Sequence, residues 1–128
     1  MKTRILLLAA IIAGAVNAAP LPEREVARIA DAIYRAEGGS KARVPYGVLS
    51  VRVANAAEAR RVCMNTIRNN HSRWESAGKP GDFIKYLGAK YCPPSADPTG
   101  HKNWVRNVGQ LIAGSNNKQT NNRQKERQ

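Results

Sequence analysis

The residue with the clearest chemical potential in the sequence is Glu37. Apolar side chains recur at helical spacing through Val26, Ile29 and Ile33, and the next position of that stripe is a glutamate, followed at once by two glycines. Burial and the negative end of a helix dipole would both favour the protonated form of such an acid. A general acid must hold a proton and release it to a leaving group, so this position is typical of a catalytic carboxylic acid. The alternative is a glutamate that ends a helix in solvent.

The segment after Glu37 supplies the next candidates. In "YGVLSV", Tyr46 and Gly47 form an aromatic–glycine pair, and Ser50 follows. A glutamate at a helix end, a glycine-rich turn and an extended segment of this kind resemble the lysozyme-like superfamily, in particular the lytic transglycosylases. This resemblance implies that Glu37 is the general acid and base. It also implies that Tyr46, Gly47 and Ser50 lie on the wall of a groove that binds a glycan.

The resemblance covers about residues 26–108, most of the chain outside its termini. The blocks "CMNTIRNNHSRW", "DFIKYLGAKYCPP" and "NWVRNV" are similar to small exported proteins of transglycosylase type. The sequence departs from the family where Ser50 stands near the expected glutamine and where no "Tyr-Asn-Ala-Gly" stretch follows. The resemblance implies cleavage of the β-1,4 bond between N-acetylmuramic acid and N-acetylglucosamine in peptidoglycan, with no metal and no organic cofactor.

The small number of acidic residues bears on the reaction type. A glycosidase that works with two carboxylates needs the second one about 5–9.5 Å from the first. No acidic residue lies in the segment just after Glu37. A lytic transglycosylase, by resemblance, needs only one acid, because the 6-hydroxyl of the muramyl sugar attacks its own anomeric carbon. The sequence therefore favours a 1,6-anhydro-muramyl product, with a lysozyme-type hydrolase as the alternative.

Two further polar side chains are candidates for the substrate groove. Asn70 falls on the apolar face of a long predicted helix, where asparagine is a poor helix former. Tyr91 could present its phenol to the groove. Each has an alternative explanation, namely a buried amide bonded to backbone and a buried aromatic with a satisfied hydroxyl. Trp74 and Trp104 are expected in the core, although either could stack on a sugar ring.

The N-terminus predicts export. Lys2 and Arg4 precede an apolar run over residues 5–16, and "VNA" then supplies the small residues that a signal peptidase requires. The run is too short to span a bilayer, which needs about 20 residues. We therefore assign residues 1–18 to a signal peptide and expect a periplasmic or extracellular product with no membrane span after cleavage. An uncleaved anchor is the alternative.

Two cysteines remain after that cleavage, Cys63 and Cys92. In an oxidising compartment an even count favours a disulfide between them. On the chain-entropy argument, closing that loop would stabilise the domain by about 3–4 kcal/mol. No second Cys or His pair lies at ligand spacing, so we do not predict a metal site.

The strong positive charge does not by itself identify the partner of the protein. The formal net charge is +12, and without Lys2 and Arg4 the chain still carries 19 basic and 9 acidic side chains. Nucleic acid is the usual partner of so basic a chain, but export argues for cell-wall polymers and lipid headgroups instead. A solvated surface that maintains solubility is the simplest explanation. Two rival functions stay open: a non-catalytic wall-binding or inhibitor module, and a basic protein that acts on membranes or nucleic acids. An envelope complex is a further candidate partner.

Most of the candidate site residues fall on or beside predicted helices. The first helix is predicted from about Pro22 to Glu37, with the following glycines as its C-terminal cap. Pro45 and Gly47 exclude a helix between residues 40 and 55, where the β-prone "VLSVRV" predicts a small hairpin or an extended loop.

Three more helices follow in the sequence. A capping-box pattern at Asn55 and Glu58 begins a long helix, Asp82 can cap a third helix, and a last helix carries Trp104. The predicted fold class is mainly α (α+β, lysozyme-like), with one short β-hairpin or extended segment after the first helix, in a single domain over residues 19–114. Residues 115–128 contain no apolar side chain and predict a disordered basic tail.

Overall fold

Four α-helices form the fold in the computed structural model, which describes residues 19–48 and 52–127. The predicted signal peptide, residues 1–18, lies outside the described residues. Within them, no helix is long and apolar enough to cross a membrane. The helices are α1 Glu23–Ala36, α2 Ala56–Ser76, α3 Phe83–Tyr91 and α4 Pro98–Lys125.

Helix α1 forms where the apolar stripe predicts it. Pro22 is its N-cap, and acidic side chains in the first turn face the positive end of the helix dipole. Glu37 is the C-cap, and Gly38 follows with φ 110°, a left-handed conformation that glycine adopts without strain. The stripe is buried, and its members are Val26, Ile29, Ala30, Ala32 and Ile33.

The predicted starts of α2 and α3 are confirmed. The side chain of Asn55 accepts a hydrogen bond from the backbone N–H of Glu58 at 2.9 Å. The Glu58 carboxylate in turn accepts from the N–H of Ala54 at 2.8 Å, one residue before the donor expected in a capping box. Asp82 accepts from the N–H of Lys85 at 3.0 Å. These bonds satisfy donors that a helix start leaves unpaired.

The predicted β-hairpin is not seen in the described residues. Two 3₁₀ turns, Gly39–Lys41 and Pro45–Gly47, lie between α1 and α2 instead. Pro45 has no N–H for a strand ladder, and Tyr46 and Gly47 adopt left-handed backbone conformations with φ 58° and 62° that interrupt an extended chain. The mainly α class is confirmed, whereas the small β element is not. Residues 49–51, which include Ser50, lie outside the described residues.

Helix α4 is longer than predicted at both ends. It begins at Pro98, where the sequence suggested a polar loop, because the side chain of Asp97 accepts from the N–H of Gly100 at 2.8 Å and caps it. It continues from Ser115 to Lys125, over residues for which the sequence predicts a disordered tail. Residues 115–125 contain no proline or glycine, and a hydrogen bond from Arg28 to Asn116 joins this part of α4 to α1.

The core lies where the four helices meet. Helix α4 packs against α1 and α3, and α2 packs against the same two helices. Gly88 allows α3 and α4 to approach closely, because a Cβ atom at that position would lie 2.9 Å from Cγ2 of Val105 and 3.0 Å from the Trp104 ring. The largest fully buried side chains are Ile33, Ile67, Leu87, Val26, Val108 and Cys63.

Candidate active site

Glu37 lies at the centre of a cluster built from α1, the Pro45–Gly47 turn and α4. The half-buried carboxylate accepts a hydrogen bond from Nε1 of Trp104, with 3.0 Å between Nε1 and Oε1. Trp104 is itself only 9% exposed. Because one oxygen receives the indole N–H, the carboxyl group is held in one orientation and Oε2 stays available to carry a proton.

The backbone of Gly47 packs directly against this carboxyl group. A Cβ atom at Gly47 would lie 2.9 Å from Cδ of Glu37 and 3.0 Å from Oε1, closer than side-chain carbons approach. Gly47 also has φ 62°, which favours glycine. The structure therefore brings together Glu37 and the Tyr46–Gly47 pair, two parts of the sequence pattern that resembles the transglycosylases.

Tyr46 holds an unusual backbone conformation beside the acid. Its φ of 58° is rare for a residue other than glycine and costs about 1–3 kcal/mol, so it persists where surrounding contacts fix it. The ring lies 4.9 Å from the ring of Tyr34, and the hydroxyl accepts from Nη1 of Arg60 at 3.3 Å. The same Nη1 donates to Asp31 at 2.6 Å. The bonds to Tyr46 and to Asp31 raise the pKa of Arg60, so the fixed guanidinium connects α1, α2 and the turn.

Tyr91 stacks on the ring of Trp104. The two rings are stacked, with centroids 5.0 Å apart and planes 15° apart. The Tyr91 hydroxyl lies 3.4 Å from Sγ of Cys63. Burial raises the pKa of Cys63 to about 11 and that of Tyr91 far above its usual value of 10. Both groups stay protonated at neutral pH, and Tyr91 has the satisfied hydroxyl of the alternative explanation.

The predicted disulfide is not formed in the structure. Cys63 and Cys92 are both free thiols, the first buried and the second half-buried. The Cys63 thiol contacts the hydroxyl of Tyr91, the residue before Cys92, while the Cys92 thiol lies 3.9 Å from the backbone oxygen of Asp97. The two sulfur atoms therefore have different neighbours, one in the core and one at the start of α4.

Asn70 lies outside the Glu37 cluster. It is 7% exposed, and its Nδ2 donates to the backbone oxygen of Thr66 in the same helix at 2.8 Å. This is the alternative that the sequence leaves open for it, a buried amide bonded to backbone.

All nine acidic residues lie in the described part of the chain, and eight of them have another role. Asp82 and Asp97 cap helices, Glu58 accepts from the N–H of Ala54 and pairs with Arg61, and Glu126 follows the last turn of α4. The other ion-paired residues are Glu23, Glu25, Asp31 and Glu75. In the described ranges, no group of three or more His, Cys, Asp or Glu side chains is placed to hold a metal ion.

Sequence reasoning missed two side chains of this cluster. Helical spacing placed Trp104 in the core. A buried indole N–H needs a hydrogen-bond acceptor, and this requirement was the one indication in the sequence that Trp104 has a polar partner. Arg60 lies a few residues after the predicted start of α2. The sequence does not indicate its contacts, because its partners Asp31 and Tyr46 are distant in sequence.

Comparisons of this chain with protein-family models, with curated proteins and with solved structures found no significant match.

Proposed function

We propose that the protein cleaves the glycan strands of peptidoglycan between N-acetylmuramic acid and N-acetylglucosamine, with Glu37 as the only general acid and base. The observation that carries the proposal is the contact set of the Glu37 carboxyl group. An indole N–H fixes one oxygen and a glycine backbone packs against the carboxyl carbon. A helix-terminal glutamate in solvent would need neither contact.

The chemistry would use the two oxygens of Glu37 differently. Oε1 is engaged by Trp104, so Oε2 is the oxygen that carries the proton. Glu37 gives this proton to the glycosidic oxygen as the C1–O bond breaks. The resulting carboxylate then takes the proton of the muramyl 6-hydroxyl while that oxygen bonds to C1, which closes the 1,6-anhydro ring. Glu37 ends in its starting protonation state, and no water is consumed.

The positions of the other carboxylates favour this route over hydrolysis. A retaining or inverting glycosidase needs a second carboxylate placed to act as nucleophile or to activate water. The other eight acidic side chains cap helices, form ion pairs or follow the end of α4. Asp31, which shares α1 with Glu37, is bound to Arg60 at 2.6 Å.

Digestion of purified sacculi tests the proposal. Wild type should release muropeptides with 1,6-anhydro-muramyl ends, which mass spectrometry distinguishes from reducing ends by the mass of one water. Glu37→Gln should abolish release, because the amide keeps the shape of the side chain but cannot donate the proton in the same way.

Glu126→Gln is the matched control, because it makes the same change at the exposed end of α4 and should release muropeptides like wild type. Release of reducing ends would replace the proposed reaction with hydrolysis. Intact sacculi after treatment with wild type would refute the enzymatic proposal altogether.

A further inference from the structure

A groove between α3 and α4 lies beside the crossing of these helices. Its volume is about 820 Å³, within the range of about 300–1,000 Å³ in which proteins bind small ligands. The groove is lined by Lys85 of α3 and by Pro98, His101, Lys102, Val105 and Arg106 of α4.

The rim of this groove is positively charged. Lys85, Lys102 and Arg106 are exposed, and within residues 19–48 and 52–127 none of the three forms an ion pair. No acidic side chain lines the groove. The groove therefore suits a ligand with at least one anionic group.

His101 adds a second requirement, which is independent of charge. Its side chain lines the groove and is only 8% exposed. Nδ1 lies 2.9 Å from the backbone oxygen of Cys92, and because a carbonyl oxygen can only accept, the hydrogen is on Nδ1. Nε2 has no hydrogen-bond partner in the part of the chain that the structure describes, so it can interact with a ligand in the groove. A ligand that carries negative charge and also donates an N–H or O–H would complement both features.

The floor of the groove is apolar. Val105 and Pro98 contribute aliphatic surface between the cations and His101. A phosphodiester supplies negative charge but neither a hydrogen-bond donor nor a small apolar group. A short acidic peptide supplies all three, since it has carboxylates, backbone N–H groups and, where it contains alanine, methyl groups.

The groove and the Glu37 site share one helix crossing. Trp104, which donates to Glu37, and Val105, which lines the groove, are consecutive in α4. Both side chains lie against Gly88 of α3, as the short distances from a Cβ atom at Gly88 show. A ligand branching from a strand at Glu37 would meet the groove on the neighbouring side of the crossing.

We propose that the α3/α4 groove binds the acidic peptide that branches from the muramyl sugar, so that the substrate is a peptide-bearing strand rather than a stripped one. This inference rests on the proposed function for its biological substrate. Lys85, Lys102 and Arg106 pair with the peptide carboxylates, and His101 accepts from a peptide N–H.

Binding can be measured without catalysis in the Glu37→Gln protein. The probe is the free peptide of alanine, glutamate, diaminopimelate and alanine, compared with the same peptide amidated at its carboxylates. The NMR signals of the His101 ring should shift saturably with the free peptide and not with the amidated one. Inorganic phosphate at equal ionic strength should leave them unchanged.

A charge-matched pair of variants separates this groove from general basicity. Replacing Lys85, Lys102 and Arg106 together by Gln should weaken peptide binding by about tenfold, as expected for the loss of three exposed ion pairs.

The control replaces Arg24, Arg35 and Lys118 by Gln, which removes the same charge from the α1/α4 side of the molecule and should leave binding unchanged. Equal weakening in both variants, no saturable shift, or equal binding of the amidated peptide would each overturn the proposal.

Wild-type cleavage then links the groove to the reaction. Intact sacculi should be cut faster than strands whose peptides an amidase has removed, and the Lys85, Lys102 and Arg106 variant should lose this preference. Cleavage of both substrates at equal rates overturns the peptide preference but keeps the proposed function. If neither substrate is cut, the proposed function fails, and the peptide titration still decides whether the groove binds.

Discussion

At the scale of single residues, the feature with most consequence is the bond between Trp104 and Glu37. It joins residues 67 positions apart across the α1/α4 interface, and its donor is nearly buried. A hydrogen bond between neutral groups contributes about 0.5–1.5 kcal/mol, and one to a charged group about 1.5–3 kcal/mol. An interaction of this size can fix the position of the acid without the donor touching substrate.

We expect Trp104→Phe to lower kcat for glycan cleavage by about tenfold to a hundredfold, because Glu37 becomes a charged carboxylate as it gives up its proton and a hydrogen bond to a charged group contributes about 1.5–3 kcal/mol. Phenylalanine keeps a ring to stack on Tyr91 but has no N–H for Glu37. KM should change little, because the bond positions the acid rather than the substrate. Initial rates on soluble glycan strands measure both constants.

The control is Trp74→Phe, which removes an indole N–H that donates to the backbone oxygen of Gly81, away from Glu37. It should keep the kcat of wild type. Equal kcat for Trp104→Phe and wild type would contradict the positioning role, and a matching rise in KM would indicate a substrate contact instead.

The sequence drew attention to Glu37 but not to the side chain that donates a hydrogen bond to it. Glu37 was noticed because it occupies a position where the helical spacing of apolar residues predicts another apolar side chain. Such a local pattern can be recognised in a single sequence. Trp104 and Arg60 take their importance from partners in other helices, and such contacts depend on packing that no local pattern encodes. The number of cysteines likewise gives no information on where each thiol points, and both thiols are free in the structure.

At the scale of elements, the Pro45–Gly47 turn decides how closely the chain approaches Glu37. Tyr46 and Gly47 both have left-handed backbone conformations, and the second has no room for a side chain. The β-prone letters after the turn predicted a hairpin, and no strand is seen in the described residues, 19–48 and 52–127. The turn therefore places the backbone of Gly47 against the Glu37 carboxyl group.

We expect Gly47→Ala to lower the free energy of unfolding by about 1–3 kcal/mol, because alanine is strained at φ 62° and its Cβ would contact the Glu37 carboxyl carbon. Urea denaturation followed by circular dichroism measures the change.

Gly109→Ala provides the contrast. Gly109 lies inside α4 with open space around the position of a Cβ atom, so alanine should stabilise the fold by about 0.5–1 kcal/mol. A Gly47→Ala protein as stable as wild type would show that the turn is free to move away from Glu37.

At the scale of the whole molecule, two protonated groups in the core couple stability to pH. Burial raises the pKa of Cys63 from 9.0 to about 11 and raises that of Tyr91 from 10.0 in the same direction. Above pH 9 the unfolded chain loses the thiol proton while the folded chain keeps it. The unfolded state is then favoured, so stability that is complete below pH 9 is lost as the pH rises towards 11.

In reducing buffer, the free energy of unfolding should fall between pH 9 and 11 by up to about 1.4 kcal/mol per pH unit from Cys63 alone. Tyr91 adds to the loss above pH 10. Urea denaturation at a series of pH values measures the free energy of unfolding, and its change with pH is the slope to be compared.

Cys63→Ala should reduce that slope, whereas Cys92→Ala, which removes the half-buried thiol, should keep it. The same slope in both variants would mean that the Cys63 thiol ionises as readily in the folded chain as in the unfolded one.

The bond from Trp104 to Glu37 also gives the protein an optical sensor of its own site. The chain has two tryptophans, and the other, Trp74, belongs to a separate aromatic group with His71 and Phe83. In a Trp74→Phe background, the ultraviolet emission of the protein comes from a single indole whose N–H bonds to the acid. We expect the intensity and wavelength of this emission to change when a ligand binds beside Glu37, so binding can be followed in real time with no attached dye and no labelled glycan.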